Sequence, residues 1–110
     1  IRCKSYLGRK QGDLVVTKDL ETKIKNKHVY LIDDILDSGN TMKAVTKFLS
    51  VKEPKSVTPV VAIYKESGDF DKVLHILHQP TDSMFDPWYI GYGMDDENGH
   101  NRNLGTIYTI

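Results

Sequence analysis

The sequence contains a single cysteine, Cys3, so no disulfide can form within the chain. A chain without disulfides is typical of a reducing compartment, and we expect a cytoplasmic protein. No apolar stretch approaches the roughly 18 residues that a membrane-spanning helix requires, and no signal peptide is visible. The composition therefore gives no indication of a secreted or membrane-spanning chain.

The chain also lacks an excess of charge of either sign. Fifteen Lys and Arg residues balance fifteen Asp and Glu residues, which leaves no electrostatic basis for nonspecific nucleic-acid binding. The histidines share no metal-ligand spacing, and we interpret them as structural or surface residues: His28, His75, His78 and His100. There are no repeats or low-complexity tracts, and a length of 110 residues predicts one domain with a modest core.

Strand and helix patterns alternate along the chain, which predicts an α/β fold with a largely parallel sheet. Strands are predicted over 1–6, 14–17, 28–32, 57–64, 88–92 and 104–110, and a helix over 41–51. The helix carries an apolar stripe, composed of Met42, Val45, Phe48 and Leu49.

Four other segments complete this reading. Residues 72–78 are ambiguous between a strand and a short helix, and the charged segment 19–27 is expected to cover the surface. Residues 7–13 and 95–103 are polar and predict loops. Pro59 lacks a backbone donor, so we expect it at the start of a strand or at an edge.

Residues 29–41, VYLIDDILDSGNT, are the most informative part of the chain. The apolar run 28–32 predicts a strand that is buried on both faces, and it delivers Asp33 and Asp34 at its carboxyl end. A polar turn beginning at Asp37 then leads into the helix. Parallel sheets bind ligands beyond the carboxyl ends of their strands, and helix N-termini bind phosphate. This order of residues suits a sugar that carries both hydroxyls and a phosphate.

The turn has two interpretations. Gly39 lets the backbone approach a phosphate closely, and Ser38 and Thr41 add hydroxyl donors. Alternatively, Asp37 or Ser38 simply caps the helix that begins near Asn40.

Residues 29–41 closely resemble the phosphoribosyl-diphosphate signature of the type I phosphoribosyltransferases: an apolar strand, two acids, two apolar residues, then Asp-Ser/Thr-Gly-x-Thr. Other segments resemble the hypoxanthine-guanine branch of this family. Ser5 and Tyr6, ahead of a glycine-containing loop, are similar to its flexible catalytic loop, which closes over the reacting centre and excludes water. Residues 86–95, DPWYIGYGMD, resemble its aromatic purine clamp with a downstream metal-binding acid. The resemblance covers nearly the whole chain.

The resemblance implies a mostly parallel sheet flanked by helices and a purine-salvage enzyme. Such an enzyme is a Mg²⁺-dependent glycosyltransferase that moves phosphoribosyl from phosphoribosyl diphosphate to N9 of hypoxanthine or guanine, giving IMP or GMP and pyrophosphate. The acid at Asp37 favours a 6-oxopurine, because adenine- and orotate-specific relatives usually lack an acid there. The ranking of hypoxanthine, guanine and xanthine stays open. The resemblance also implies a homo-oligomer, a dimer or a tetramer.

The same resemblance assigns roles around the ribose. Asp33 and Asp34 would hold the ribose hydroxyls and organise Mg²⁺. Asp37 would sit near N7 of the purine and move its proton as a general acid and base. The 5′-phosphate would be cradled by the turn residues Asp37, Ser38, Gly39, Asn40 and Thr41.

Further roles fall on the base and pyrophosphate sides. Lys65 would donate a hydrogen bond to the purine O6, Trp88 would stack on the purine, and Tyr89 would give its backbone to the base edge. Asp95, counted with these purine-binding residues, would bind Mg²⁺ on the pyrophosphate side, and Arg102 would grip pyrophosphate oxygens. Each has a plainer interpretation: Lys65 and Arg102 as solvated side chains, Trp88 as a core residue, and Asp95 as loop surface.

The family fold needs more chain than this, since almost nothing precedes Ser5 and no Leu-Lys-Gly of the family's pyrophosphate loop is found. We interpret residues 1–110 as a single phosphoribosyltransferase domain that is the C-terminal part of a longer family fold. Another chain could supply the rest, or the protein could be a reduced relative that binds nucleotide as a regulatory module without efficient turnover. An unrelated Mg²⁺-dependent, phosphatase-like domain is a third reading. We expect the chain alone to be unstable or to associate.

Overall fold

The computed structural model describes residues 1–5, 14–65, 70, 72–79 and 87–110. Its contacts divide the chain into two compact units, residues 1–79 and residues 80–110. The elements are β1 Arg2–Ser5, β2 Leu14–Lys18, β3 His28–Leu36, α1 Asn40–Ser50, β4 Ser56–Lys65, β5 Leu74–Gln79, β6 Tyr89–Ile90 and β7 Tyr108–Thr109. The predicted loop 7–13 lies outside the described residues, and the single-domain prediction stays a prediction.

The first unit is built on a parallel sheet of three strands in the order β3-β4-β5. Its register runs from His28 opposite Ser56 to Leu36 opposite Tyr64, and β5 enters where Leu74 lies opposite Val60. The prediction of a parallel sheet is confirmed, and the ambiguous segment 72–78 is largely strand. β1 and β2 form an antiparallel pair, as do β6 and β7 in the second unit.

The helix packs its apolar stripe onto one face of this sheet. Met42, Val45 and Leu49 are buried, as the periodicity predicted. Phe48 is partly buried against the same core, and the Lys52 ammonium lies 4.9 Å from its ring centroid. The helix and the sheet thus share an apolar interface on this side, which consists of two clusters.

The charged segment 19–27 does more than cover the surface, which corrects the prediction. Ile24, its central apolar residue, is buried and packs with Val45 and Leu49 of α1. An ion pair of 2.6 Å between Lys52 and Asp19 connects the start of this segment to the residues that follow α1. One isoleucine in a charged run was the signal, because such a residue is rarely left in water when a neighbouring core can accept it.

Pro59 is the fourth residue of β4 and lies opposite Leu31. Strand β5 begins one residue later, opposite Val60, so the described chain gives β4 a partner on one side only at the proline. The predicted strand start or edge is therefore met only locally, because Pro59 lies within the central strand of the sheet but at a point where its missing donor faces no described partner strand on one side.

The prediction for β3 needs two corrections. The strand does not stop at Ile32 but continues through Asp33 and Asp34 to Leu36, because Ile35 and Leu36 still pair with β4. It is also not buried on both faces, since Tyr30 is 62% exposed and Ile32 is 74% exposed. A continuous apolar run indicates burial without telling which segment provides the cover, and α1 covers only one face.

The second unit has shorter strands than the predicted 88–92 and 104–110. Backbone hydrogen bonds between Trp88 and Ile110 flank the β6–β7 pair, but the chain turns immediately afterwards at Gly91. Gly91 has φ +90°, and a Cβ there would lie 2.1 Å from the Thr106 carbonyl oxygen. The turn therefore requires glycine, and it ends the strand.

In the described part of the chain, the other face of the parallel sheet is largely apolar at its centre. We call it the open sheet face; a shallow groove of about 400 Å³ on it is lined by Ile32, Asp33, Val60, Val61, Ala62, Leu74, His75 and Ile76. Ile76 is 89% exposed. An apolar strip of this kind on a short sheet favours association.

We predict that Ile32→Lys combined with Ile76→Lys raises the monomer fraction of the chain. Burying one isoleucine stabilises a contact by roughly 1.5–3 kcal/mol, so the two lysines should weaken self-association by about ten-fold or more. Sedimentation velocity over a concentration series measures this. The control is Val51→Lys, since Val51 is equally exposed at 78% but lies at the end of α1. A wild-type chain that is a monodisperse, cooperatively melting monomer would contradict the prediction.

Candidate functional site

The turn between β3 and α1 leaves the helix N-terminus uncapped by side chains. The N-cap is Gly39, in a left-handed conformation with φ 73° and ψ −4°, and no side-chain cap hydrogen bond is present. The first turn of α1 also contains no acidic residue. The interpretation of Asp37 or Ser38 as a helix cap is therefore wrong. The first N–H groups of α1 instead offer donors and a positive dipole end to an anion.

Asp33 and Asp34 lie in β3, ahead of this turn. The Asp33 carboxylate accepts a hydrogen bond from the Asp34 N–H at 3.1 Å, and the Asp34 carboxylate accepts one from the Ile35 N–H at 2.8 Å. Burial raises the pKa of the Asp33 carboxyl, and the neighbouring charge of Asp34 adds to this, while the Asp34 N–H acts in the opposite direction. A carboxylate in such surroundings gains from a cation or from hydroxyl donors.

Lys65 ends β4 and is only 8% exposed, so its interpretation as a solvated lysine is wrong. Its Nζ lies 3.6 Å from Oδ1 of Asp37, whose own side chain is 64% exposed. A buried ammonium requires a charged or polar partner, and Asp37 serves as one. The fold thus joins two residues that are far apart in the sequence and that the resemblance places at the purine.

In the second unit, Trp88 is not a core residue. It is 53% exposed, and its indole Nε1–H donates a hydrogen bond of 2.8 Å to the carbonyl oxygen of Asp95. Tyr89, next to it, is buried in the β6–β7 pair. The indole is therefore held at its polar edge while its ring is open to solvent, an arrangement suited to stacking.

Asp95 and Arg102 are paired with each other. The guanidinium of Arg102 donates a hydrogen bond to the Asp95 carboxylate and forms a salt bridge with it. The Arg102 side chain is 63% exposed and the Asp95 side chain 34% exposed, so the pair lies at the surface. The sequence assigned them to metal and to pyrophosphate separately and gave no indication of the pair.

Asp96 is a residue that sequence reasoning missed. Its carboxylate accepts hydrogen bonds from the N–H groups of Asn98 and His100, both at 2.9 Å, and from the Asn101 amide at 2.8 Å. The hydrogen bond from the His100 N–H is the main cause that holds the pKa of Asp96 below its usual value, while burial opposes this. The hydrogen bonds from Asn98 and Asn101 and the charge of His100 lower the pKa further. The signal was present, because an Asp followed closely by Asn-Gly is typical of a side-chain-stabilised turn.

The remaining assigned residues are placed as follows. The backbone of Ser5 pairs with Leu14 at the end of β1, and Tyr6 lies outside the described residues. Asn40 and Thr41 begin α1. Asp33 to Thr41 and Lys65 belong to the first unit, and Trp88, Tyr89, Asp95 and Arg102 belong to the second.

The carboxylates at the end of β3 are the donor groups that a magnesium ion could use. Among the residues that the structure describes, no group of three His, Cys, Asp or Glu side chains is arranged to hold a metal ion. Mg²⁺ does not need such a cage, because it commonly keeps several waters and binds one or two carboxylates together with substrate phosphates. Asp33 and Asp34 fit that mode.

The described residues contain no helix with the length and apolar character that crossing a membrane requires.

Comparison with known proteins gives consistent matches. Residues 1–97 match the family described as Phosphoribosyl transferase domain. The hypoxanthine phosphoribosyltransferase of Haemophilus influenzae is 36% identical over 99 residues, which cover 86% of this chain and 51% of that protein. The hypoxanthine-guanine-xanthine phosphoribosyltransferase of Tritrichomonas foetus is 34% identical over 110 residues, covering 97% of this chain and 58% of that protein.

Solved structures agree with the sequence matches. A hypoxanthine phosphoribosyltransferase from Staphylococcus aureus superposes with a TM-score of 0.80 at 31% identity, covering 98% of this chain and 58% of that one. A variant of the Trypanosoma cruzi enzyme, complexed with the product IMP, gives a TM-score of 0.79 at 25% identity and covers 98% and 54%. The predicted type I phosphoribosyltransferase fold is confirmed. The chain spans about half the length of the relatives that it matches.

We predict that Asp33→Asn stabilises the chain at neutral pH in magnesium-free buffer. The folded pKa of Asp33 is raised, so the charged form costs stability, and this cost disappears as the pH falls through the raised pKa. The expected result is a higher Tm at pH 7 and a difference that shrinks on acidification. Asp19→Asn is a control of opposite sign, because a hydrogen bond from Lys52 lowers the pKa of Asp19. A lower Tm for Asp33→Asn at pH 7 would contradict the prediction.

Proposed function

The chain belongs to the phosphoribosyl transferase domain family, and on this premise we propose that it acts in purine salvage. The proposed reaction is the Mg²⁺-dependent transfer of phosphoribosyl from phosphoribosyl diphosphate to N9 of hypoxanthine or guanine, which gives IMP or GMP and pyrophosphate. Support for the purine comes from the relatives, whose names state hypoxanthine, guanine or xanthine as the base. Support for the chemistry comes from residues of this chain.

The observation that carries the proposal is the pairing of buried Lys65 with Asp37 beside the uncapped N-terminus of α1. A lysine ammonium can donate to the carbonyl O6 of hypoxanthine or guanine, whereas the amino group of adenine cannot accept such a bond. Asp37 then acts on N7 of the base. A site with these two residues therefore selects a 6-oxopurine.

The bond changes follow from these roles. N9 of the base forms a bond to C1′ of the ribose, while the C1′–O bond breaks and its electron pair leaves with pyrophosphate. The proton on N7 moves to the carboxylate of Asp37, which acts as general base. Asp33 and Asp34 hold the ribose hydroxyls during this exchange. The transition state resembles an oxocarbenium ion, so exclusion of water by Ser5 and Tyr6 protects it.

The phosphate groups are held by backbone N–H groups and by positive charge. The 5′-phosphate accepts hydrogen bonds from the N–H groups of the turn that contains Gly39 and of the start of α1, and from the hydroxyls of Ser38 and Thr41. Asp33 and Asp34 of the first unit would hold Mg²⁺, and Asp95 of the second unit would also bind Mg²⁺, on the pyrophosphate side; when bound, the metal would supply positive charge to offset the charge of the leaving pyrophosphate.

The second unit supplies recognition groups of its own. The guanidinium of Arg102 binds pyrophosphate oxygens through its planar fork. The exposed ring of Trp88 stacks on the purine, and Tyr89 meets the base edge through its backbone.

A nucleotide-binding regulatory module without efficient turnover is the second candidate. The observation that favours it is the polar edge itself, since the uncapped N-terminus of α1 and the buried Lys65 beside Asp37 would bind a nucleoside monophosphate whether or not turnover follows. The open sheet face also suits assembly with a second copy, in line with the expected homo-oligomer.

We predict that the chain binds GMP in preference to AMP and that Lys65→Met removes this preference. Loss of a hydrogen bond from a charged donor costs about 1.5–3 kcal/mol, so GMP affinity should fall roughly ten- to a hundred-fold while AMP affinity is unchanged. Calorimetric titration in the presence of Mg²⁺ measures both. Lys55→Met is the matched control, because Lys55 is exposed and directly precedes the same strand that Lys65 ends. Equal affinity of the wild type for GMP and AMP would count against a 6-oxopurine site.

We also predict that Asp37→Asn separates turnover from binding. An amide cannot take the N7 proton, so the rate of IMP formation should fall about 10²–10⁴-fold, while GMP affinity changes little. A spectrophotometric assay with hypoxanthine and phosphoribosyl diphosphate measures the rate. A wild-type chain that binds GMP but shows no rate would favour the regulatory module instead.

A further inference from the structure

The loop that follows Trp88 is organised around one carboxylate. Oδ1 of Asp96 accepts the N–H groups of Asn98 and His100, both at 2.9 Å, and Oδ2 accepts the side-chain amide of Asn101 at 2.8 Å. The carboxylate therefore fixes three residues that come after it in the chain. The resemblance assigned Asp96 no role.

The backbone of Asp96 closes the same loop. Its N–H donates to the His100 carbonyl at 3.1 Å, and its own carbonyl accepts the Gly99 N–H at 3.0 Å. Gly99 has φ +78°, a conformation that suits glycine, and this helps the chain reverse direction. Main-chain and side-chain bonds of one residue thus turn the chain back on itself.

The consequence is that Asp95 and Arg102, which are seven residues apart, meet in a salt bridge. The Arg102 carbonyl also accepts the Gly93 N–H at 3.0 Å, which anchors the returning strand of the loop. One anionic and one cationic side chain are therefore presented together. This is the complement of a divalent cation bound to a diphosphate.

The loop is also connected to the tryptophan. The Asp95 carbonyl accepts the Trp88 indole N–H at 2.8 Å, so Asp95 binds Arg102 through its side chain and Trp88 through its backbone. A change in the loop must therefore change the surroundings of the indole. Trp88 is the sole tryptophan of the sequence, so tryptophan fluorescence reports on the surroundings of this one residue.

We propose that Asp96 is a positioning residue, whose turn holds Asp95 and Arg102 together to grip magnesium pyrophosphate and fixes the orientation of Trp88. This inference rests on the proposed function, which supplies pyrophosphate as the ligand. Asp96 acts through its neighbours and does not touch the ligand itself. Its value lies in removing, before binding, the conformational freedom that Asp95 and Arg102 would otherwise lose.

The experiment compares Asp96→Ala, Asp96→Asn and the control Glu97→Ala in the full chain. Glu97 is the adjacent acid and accepts none of the hydrogen bonds that define the turn. Titration calorimetry with inorganic pyrophosphate and Mg²⁺ measures affinity, the emission spectrum of Trp88 without ligand measures the loop, and circular dichroism checks the fold.

Asp96→Ala should weaken magnesium pyrophosphate binding about ten-fold or more and shift the Trp88 emission, because two backbone N–H groups lose a charged acceptor. Asp96→Asn should recover most of both properties, since an amide oxygen can still accept those N–H groups. Glu97→Ala should match the wild type. The recovery by asparagine separates positioning from a simple contribution of negative charge.

Wild-type affinity and emission in Asp96→Ala would overturn the inference while leaving the proposed function intact. A loss of affinity in Glu97→Ala as large as in Asp96→Ala, or no recovery in Asp96→Asn, would also overturn it, because charge and not the turn would then be responsible. A wild-type chain that binds GMP but not magnesium pyrophosphate would overturn the inference and leave the nucleotide site of the proposed function in place. A wild-type chain that binds neither would overturn the proposed function itself.

Discussion

The packing of one helix onto one face of a three-stranded parallel sheet is the interaction on which the first unit depends. Met42, Val45 and Leu49 of α1 are buried in the two apolar clusters that join the helix to this side of the unit. Each buried side chain of this kind contributes roughly 1.5–3 kcal/mol. Because α1 connects β3 to β4, its docking also determines where β3 ends and how the turn at Gly39 is shaped. It further determines which residues meet at the carboxyl edge of the sheet.

The polar groups at that edge follow from this packing and would be unfavourable without it. The N-terminus of α1 has no side-chain cap, Asp33 carries a raised pKa, and Lys65 is a buried ammonium whose partner Asp37 is largely exposed. Each of these features costs stability that the apolar interface offsets. Groups held at such a cost are typical of sites that a ligand completes, since a phosphate, a cation and a polar base would satisfy them.

The second unit is organised in a different way. Its paired strands are short, and much of its order comes from a turn that needs Gly91 and from the hydrogen bonds around Asp96. The indole of Trp88 and the Asp95–Arg102 pair are fixed by this loop, not by burial in a core. Local polar bonds of this kind position groups accurately on the surface, provided that every acceptor in the turn is used.

The sequence by itself determined the family, the parallel sheet, the apolar stripe of α1 and the polar turn that leads into it, because these depend on periodicity and on residue order over short distances. Only the tertiary structure decided that Lys65 is buried against Asp37, that Trp88 is open to solvent, and that Asp95 pairs with Arg102. It also decided that Tyr30 and Ile32 on one face of β3 are exposed, since an apolar run indicates that a strand requires cover but not which segment supplies it. Contacts between distant residues and the covering of a surface depend on how the elements pack, and that information is spread over the whole chain.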